Sequence, residues 1–479
     1  VIGYGGAGLW AAVTAKDEGN SDVLVLEKAP SRGGGNSSIN MGEYTWVDDV
    51  DGAVKYITGF TKGHTPEEIA RAWAEECYNN MDYCDHWGVK TEKKKGTNAS
   101  GGTSSCEYPW IDGAEAMHVC SFGDATKGGN EGWHTLDQAR ADLGIEVKFS
   151  CHDETLIQNP ETKEIVGAYT YIGDDGTQYA IKARKGVIMT CGGFESNPDM
   201  MANYFSQPTV TPIAAQENTG DGHRICALLN VAEWHMNSGA GFWNTIRKLD
   251  DSGWGKYNGS GSPLKNLGIT VGDNGRRFYM DWDACCTFDW DQFYAGVPMN
   301  AAVGSRHGHM QFGGNWHLLP MPEISWFVCD QAAMDAGAYA FQGTDPVAEG
   351  FGYKADTLED LAAQANLPVD EFVETVTVWN GYCENGKDLS FFRPPSTLTP
   401  VKTPPFYIMM QRPQMLNTDG GPVRNAKGEI IDIEGNVIPH LYSAGEFGSV
   451  WAGHYQGGGN LGECLAFGRI AARSALANE

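Results

Sequence analysis

The apolar positions of the chain change period several times, and each change marks an element. Val1-Ile2 ends an apolar run that breaks at Gly3, and Leu9 to Asp17, rich in Ala and Leu, predicts a helix directly afterwards. Asp22-Val23-Leu24-Val25-Leu26 then reads as a strand. Farther on, Ile165-Val166-Gly167-Ala168 and Thr177 to Ala183 predict a small β-meander, with a turn at Gly173-Asp174-Asp175-Gly176. Gly186-Val187-Ile188-Met189-Thr190 predicts a buried strand, and His223 to Ala232 a helix. From about residue 233 to residue 400 the pattern turns irregular and rich in Trp, other aromatics and Gly. Within it only Thr357 to Ala362 and Asp370 to Tyr382 read as amphipathic helices, the first opened by a capping box of Thr357 and Asp360. A last helix ends near Ala477.

Length and charge narrow the classes. A chain of 479 residues exceeds one ordinary core, so two domains are expected. Its 62 glycines cluster in short tracts between apolar runs, which predicts tight turns and close backbone approach to a ligand rather than a low-complexity tail. The formal charge of −27 argues against a nucleic-acid partner and against docking on an anionic membrane surface. None of the 12 cysteines forms a C-x-x-C pair, so reduced, buried thiols in a cytoplasmic protein are expected. No H-E-x-x-H is present and no metal site is expected. No apolar run reaches membrane-spanning length. Val1 begins inside a motif, so the residues that complete its strand are expected to precede this numbering.

That motif is Gly3-Tyr4-Gly5-Gly6-Ala7-Gly8, a G-x-G-x-x-G between a strand end and a helix, with Glu27 closing the next strand 19 residues after Gly8. Together these make a dinucleotide-binding βαβ unit. Gly3 allows the tight turn, Gly5 lets backbone approach a pyrophosphate, and Gly8 lets helix and strand pack closely. The helix start at Gly6 and Ala7 offers unpaired N–H groups and a positive dipole end to phosphates. Glu27 can accept from adenosine ribose hydroxyls and disfavours a 2′-phosphate.

The next stretch, Lys28 to Gly42, reads K-A-P-S-R-G-G-G-N-S-S-I-N-M-G. Here the chain resembles the flavoprotein family of fumarate reductase, succinate dehydrogenase and 3-ketosteroid dehydrogenase, which includes bacterial steroid and flavonoid reductases. The resemblance implies FAD, with Lys28, Gly34, Gly35, Asn36 and Ser37 along its diphosphate and ribityl chain. Family members that bind FAD covalently carry a His in this stretch, and Ser31 to Gly42 contains none, so a non-covalent flavin is implied. Cys191-Gly192-Gly193-Phe194 matches the family's second FAD segment, and Asn218-Thr219-Gly220-Asp221-Gly222 its T-G-D-G turn. Asp221 can contact the cofactor or simply cap the following helix. Leu441 to Glu446 and Gly453 to Gly462 continue the family order. Glu446 is implied to bond the ribityl chain, and Gly459, Asn460 and Leu461 to present a helix start to the flavin. The implied fold is α/β: a Rossmann-like FAD-binding domain at 1–232 and 401–479, a parallel sheet with a β-meander, interrupted at 233–400 by an α+β capping domain that closes over the substrate.

The chemistry implied is hydride transfer between flavin N5 and an activated carbon, with protein groups stabilising charge and moving a proton. Fumarate enzymes use arginines for both tasks. Asn274-Gly275-Arg276-Arg277-Phe278 matches a family landmark, but Cys285 stands where the proton-relay Arg is expected and Gln456 where the dicarboxylate clamp is expected. Without those cations a dianion is poorly held. Gly453-His454-Tyr455-Gln456 is nearer the ketosteroid version. Tyr455, one place earlier than the family Tyr, is therefore the first candidate electrophile, His454 a proton donor or a packed ring, and Arg277 a possible substrate contact. Weaker candidates are Tyr108, Tyr294, His307, His309 and His317. The aromatics Trp234, Phe242, Trp243, Trp282, Trp290, Phe293, Trp316 and Trp326 suit a flat apolar ring better than a dicarboxylate.

The expected function is reduction of a small cyclic substrate such as a steroid, flavonoid or phenolic. The alternatives are a dehydrogenase running in the oxidative direction and a fumarate- or urocanate-type carboxylate reductase in which Arg247 or Arg412 enters the pocket. There is no second glycine fingerprint for NAD(P)H, so an external electron donor is expected.

Overall fold

The computed structural model describes residues 1–40, 42–93, 108, 111–123, 131–173, 175–205, 210–213, 215–252, 256–257, 267–278, 281, 322–337, 345–391, 393, 395–453 and 455–478. His454, Cys285, Tyr294, His307, His309 and His317, with Trp282, Trp290, Phe293 and Trp316, lie outside these, as do the side chains of Phe242 and Trp243. The chain divides into two compact units: Val1–Tyr204, Pro212–Ala240 and Leu416–Glu479 form the first, and Phe205–Thr211 with Gly241–Met415 the second.

The first unit is built on a parallel sheet. Glu146–Lys148 pairs with Leu24–Leu26. Ile2 then bridges Leu26 on one side and Met189 on the other. Val187–Met189 pairs with Val437–Ser443, and Glu429–Ile431 closes the edge antiparallel. The sheet and meander were legible in the chain, though the meander has three strands, Cys151–Gln158, Ile165–Ile172 and Gln178–Lys182, where periodicity showed two. Cys151–Gln158 escaped notice because Asp153 and Glu154 interrupt its alternation. The helix expected over His223 to Ala232 is Asp221–Ala227. Its end is drawn off by Val231, which bridges Asp432, and by Ala232, whose N–H donates to Ile431.

Helix Gly6–Gly19 has no polar face until its last turns, since residues 6–15 are all buried. One stripe, Ala7, Ala11 and Ala15, packs with Ala471, Ala472 and Ala475 of the C-terminal helix Gly459–Leu476. The other, Leu9, Trp10 and Val13, packs with Val25, Leu136 and Leu465. A Cβ on Gly468 would stand 3.0 Å from the Ala7 carbonyl and from Trp10 Cβ, so the two helices approach at backbone distance. The first helix ends where Asn20 turns left-handed, φ 45°, and its N–H returns to Ala15.

The second unit is an antiparallel sheet covered by helices. Phe406–Thr418 pairs with Ser325–Asp330 and with Gly352–Ala355, and Ile269–Gly272 extends it beyond Ser325–Asp330. Helices Leu358–Gln364 and Val369–Asn385 bury Leu361, Phe372, Val376 and Trp379 against Val271, Val328 and Ile408. The capping box forms as read, with Asp360 N donating to Thr357 Oγ1 at 3.1 Å.

Arg277 lies in this unit, in a buried ion cluster. Its Nη2 meets Asp281 at 2.8 Å and Asp388 at 3.0 Å, Arg393 Nη1 reaches Asp281 at 3.3 Å, and both guanidiniums lie over the Trp379 ring. The Arg277 side chain is 5% exposed. The two arginines hold the Asp281 carboxyl below its usual range although burial opposes them. Arg277, read from the sequence as a substrate contact or a structural pair, places its Nη2 between two carboxylates. Arg277→Ala leaves Asp281 and Asp388 buried beside fewer cations and is expected to cost about 3–5 kcal/mol in chemical denaturation.

Candidate cofactor groove and active site

The ends of the parallel strands leave a groove. Ile2 and Gly3 line it after the first strand, Glu27 and Lys28 after the second, Thr190, Cys191 and Gly192 after Val187–Met189, and Ala444, Gly445 and Glu446 after Val437–Ser443. The chain goes from Ile2 to Leu24–Leu26 on one side, while Val187–Met189 lies on the other. The groove therefore sits at a topological switch point, outside the carboxyl ends of the strands, where open α/β sheets bind ligands.

The glycines divide by task. Gly3 has φ 100°, and a Cβ on Gly8 would strike the Gly3 carbonyl, so helix and strand end touch through backbone. A Cβ on Gly5 would find only the Gly34 carbonyl, at 3.9 Å, so space is left against this backbone for a ligand. Gly34 N donates to Tyr4 O at 2.6 Å and brings the turn Gly35–Ser38 over the loop. Gly6 N donates to Ser37 Oγ at 3.0 Å, while Ala7, Gly35, Asn36 and Ser37 all face the groove. Glu27 is oriented by two backbone donors, Tyr4 N and Ala29 N, each at 2.8 Å. Each oxygen keeps an acceptor site for a hydroxyl. Lys28 Nζ is held by Thr219 Oγ1 at 2.7 Å and Asp221 Oδ2 at 2.6 Å, so Asp221 pairs with a lysine, and the helix cap is Gly220.

At the other end the groove meets buried carboxyls. Asn36 Nδ2 lies 3.2 Å from Glu195 Oε1 and 3.5 Å from Glu446 Oε2, and Asn218 Nδ2 donates to Glu195 at 2.7 Å. Asp419 is fully buried; Oδ1 accepts from Asn417 at 2.9 Å and Oδ2 has no hydrogen-bond partner among the described residues. Burial, and then the charge of Glu195 and Asp419, pushes the Glu446 carboxyl well above the usual range. Burial lifts Asp419 likewise. Tyr455 is 6% exposed, and burial with the nearby Asp419 and Glu446 charges raises its hydroxyl, keeping it protonated as a donor. Its carbonyl accepts from Tyr108 OH at 3.2 Å. Gln456 Oε1 accepts from Tyr56 OH at 2.8 Å, and Gly458, φ 79°, caps the C-terminal helix.

Comparison with known proteins decides the family: the FAD binding domain family matches residues 1–461. The chain belongs to it. The FAD binding domain has as a relative the 3-oxosteroid 1-dehydrogenase of Mycolicibacterium smegmatis, 30% identical over 345 residues, 65% of this chain and 56% of that protein. The chain thus spans little more than half of that relative. Digoxin reductase of Eggerthella lenta is 26% identical over 523 residues, 100% of this chain and 87% of that protein. Among solved structures, the 3-ketosteroid delta1-dehydrogenase from Sterolibacterium denitrificans in complex with 1,4-androstadiene-3,17-dione shares the fold with a TM-score of 0.78 at 20% identity, covering 100% of this chain and 99% of that one. A flavocytochrome c3 fumarate reductase gives 0.72 at 22%, covering 99% and 77%. The cofactor is FAD, and the resemblance read from the motifs holds.

In this FAD binding domain, Gly3, Gly5, Gly6, Ala7, Glu27, Lys28, Gly35, Asn36, Ser37, Gly192, Asp221 and Glu446 come together in the groove. Other residues read with them serve its frame. Gly8 and Gly34 allow close packing against Gly3 and Ser38, Gly193 against Thr418, and Gly459 against Trp451. Leu461 joins the core beside Leu9 and Leu465, and the buried Asn460 amide has no hydrogen-bond partner among the described residues. Sequence reasoning missed Glu154, Glu195 and Glu217, acids outside any fingerprint spacing; only the position of Glu195, directly after Gly192-Gly193-Phe194, offered a signal. Among the described residues no group of His, Cys, Asp or Glu is placed to hold a metal, and no helix is long and apolar enough to cross a membrane.

The division of glycines is testable. Gly5→Val, at an extended φ of −90°, is expected to leave apo-protein stability within about 1 kcal/mol yet weaken FAD on the order of tenfold or more. Gly8→Val is expected to cost about 3 kcal/mol of stability or more. Denaturation and titration of the flavin absorbance band separate the two.

Proposed function

We propose that this chain is an FAD-dependent reductase acting on an activated carbon–carbon double bond of a neutral or mono-anionic cyclic molecule, of steroid, flavonoid or phenolic type. The observation that carries this is electrostatic: the groups gathered near Tyr455 are carboxyls, Asp419 and Glu446, and its neighbour in the chain is Gln456. A dicarboxylate entering there meets acids rather than guanidiniums to pair with, whereas a ketone or phenol asks only for hydrogen bonds. Arg424 and Arg469, fully buried in the same unit, are engaged by Glu463 and Glu76. The name of the relative digoxin reductase, matched along the whole chain, and that of vinyl phenol reductase of Lactiplantibacillus plantarum, 25% identical over 507 residues, support this substrate class.

When bound, FAD supplies the hydride. The residues here stabilise the charge that develops on the substrate oxygen, and a proton must still reach the carbon next to the one that takes the hydride. Tyr455, held as the neutral phenol, donates to the substrate oxygen and stabilises the enolate that forms. Glu446 and Asn36 orient the cofactor without a covalent link. Electrons reach the protein from an external donor. A second reading, the oxidative direction, is favoured by the 30% identity to 3-oxosteroid 1-dehydrogenase. The same groups serve it in reverse.

Chemically reduced protein, mixed anaerobically with fumarate, urocanate, a 4-ene-3-ketosteroid and isoflavonoids, is expected to be re-oxidised by a ring compound and not by fumarate. Re-oxidation by fumarate alone refutes the reading. Tyr455→Phe is expected to slow that re-oxidation by about 10² or more while the flavin spectrum stays intact.

A further inference from the structure

The groove contains a carboxyl that neither the glycine fingerprint nor the proposed reaction uses. Glu154 lies on the meander strand Cys151–Gln158, is 6% exposed, and yet lines the groove with Glu27, Asp221 and Ile225. Glu27 stands between the glycine loop and this strand: Tyr4 N donates to its side chain at 2.8 Å and Cys151 N to its carbonyl at 2.9 Å. The next backbone contact, Ser150 N to Ala29 O at 2.9 Å, continues the join. A dinucleotide with its pyrophosphate against Gly5 and a ribose at Glu27 therefore carries its base onward to Glu154.

The surrounding groups leave this carboxyl unspent. Arg224 Nη2 is directed at the Glu154 backbone carbonyl, 3.5 Å away, and Asp221 is bound to Lys28. No other side chain hydrogen-bonds the Glu154 carboxyl among the described residues. Burial raises it above its usual range, although its own backbone N–H and the Arg224 charge oppose this. A carboxyl held at the wall of a ligand groove, with no side-chain donor among the described residues on it, points to a donor on the ligand.

We propose that Glu154 selects the adenine base of the cofactor by accepting a hydrogen bond from its exocyclic amino group, with Ile225 contacting the ring. Adenine offers an N–H₂ donor at that edge. Hypoxanthine offers a carbonyl oxygen, which places acceptor against acceptor. Glu154 is thus a specificity residue for the base, distinct from Glu27, which addresses the sugar. This rests on the assignment of FAD.

The test is binding rather than turnover. Apo-protein is titrated with FAD and with its deaminated analogue, flavin hypoxanthine dinucleotide, at a mildly alkaline pH that favours the carboxylate, following flavin absorbance. The wild-type chain is expected to prefer FAD on the order of tenfold. Glu154→Leu is expected to bring the two affinities within about twofold by weakening FAD. Glu154→Gln, which keeps the shape, is expected to narrow the preference as well and covers the case in which the leucine variant does not fold. Equal affinities in the wild type, or a preference that survives both substitutions, overturns the proposal while leaving FAD binding intact. Failure of the wild type to bind FAD at all would instead remove the assignment beneath it.

Discussion

The carboxyl edge of the sheet depends on how closely the first helix approaches the strand that precedes it. Gly8 brings the helix backbone onto the Gly3 carbonyl, and no side chain fits between them. Segments far apart in the chain then converge on that first turn. Gly34 bonds back to Tyr4, Gly445 passes where its Cβ would lie 2.8 Å from Ala7 Cβ, and Gly468 brings in the C-terminal helix. A bulkier residue at any of these contacts would push the helix start away from the strand ends. The donors that make it a phosphate site would move with it. The alanine stripe of the helix serves the same end, because small side chains let a helix be buried on every side.

With the helix seated, the character of the groove is set by its acids. Glu27 is satisfied by backbone donors. Glu195 is buried but receives Asn36 and Asn218, whereas Asp419 and Glu446 have fewer partners and are pushed toward the neutral form. The carboxyls thus differ by environment rather than by type. Near Tyr455 this environment keeps a phenol protonated, so the same burial that shapes the fold sets the state of that donor.

The second unit shows the contrasting use of charge. Arg277, Arg393, Asp281 and Asp388 are as buried as the groove acids, but each charge has an opposite one beside it and an aromatic ring beneath the guanidiniums. Such a cluster specifies how the segment around Gly275 meets the helix that carries Trp379, at a desolvation cost that an unpaired charge could not offset. A landmark motif in the sequence therefore marks a structural junction here.

What the sequence determined by itself was everything carried by local spacing: the G-x-G-x-x-G with Glu27, the strand into Gly192-Gly193, the capping box at Thr357, the C-terminal helix and, through them, the cofactor. Those features depend on residues adjacent or a few turns apart, where backbone sterics and hydrogen bonding act over short range. Tertiary structure alone decided which glycines face a ligand and which face a neighbour. Gly5 and Gly193 look alike in the chain and differ only in what lies across from them. It also decided that Asp221 meets Lys28, that Arg277 is spent on Asp281 and Asp388, and that Glu154, on a strand whose alternation is broken, reaches the groove. Apart from Asp281, one turn from Arg277, these charge partners come from segments more than a hundred residues apart, so no local pattern records them.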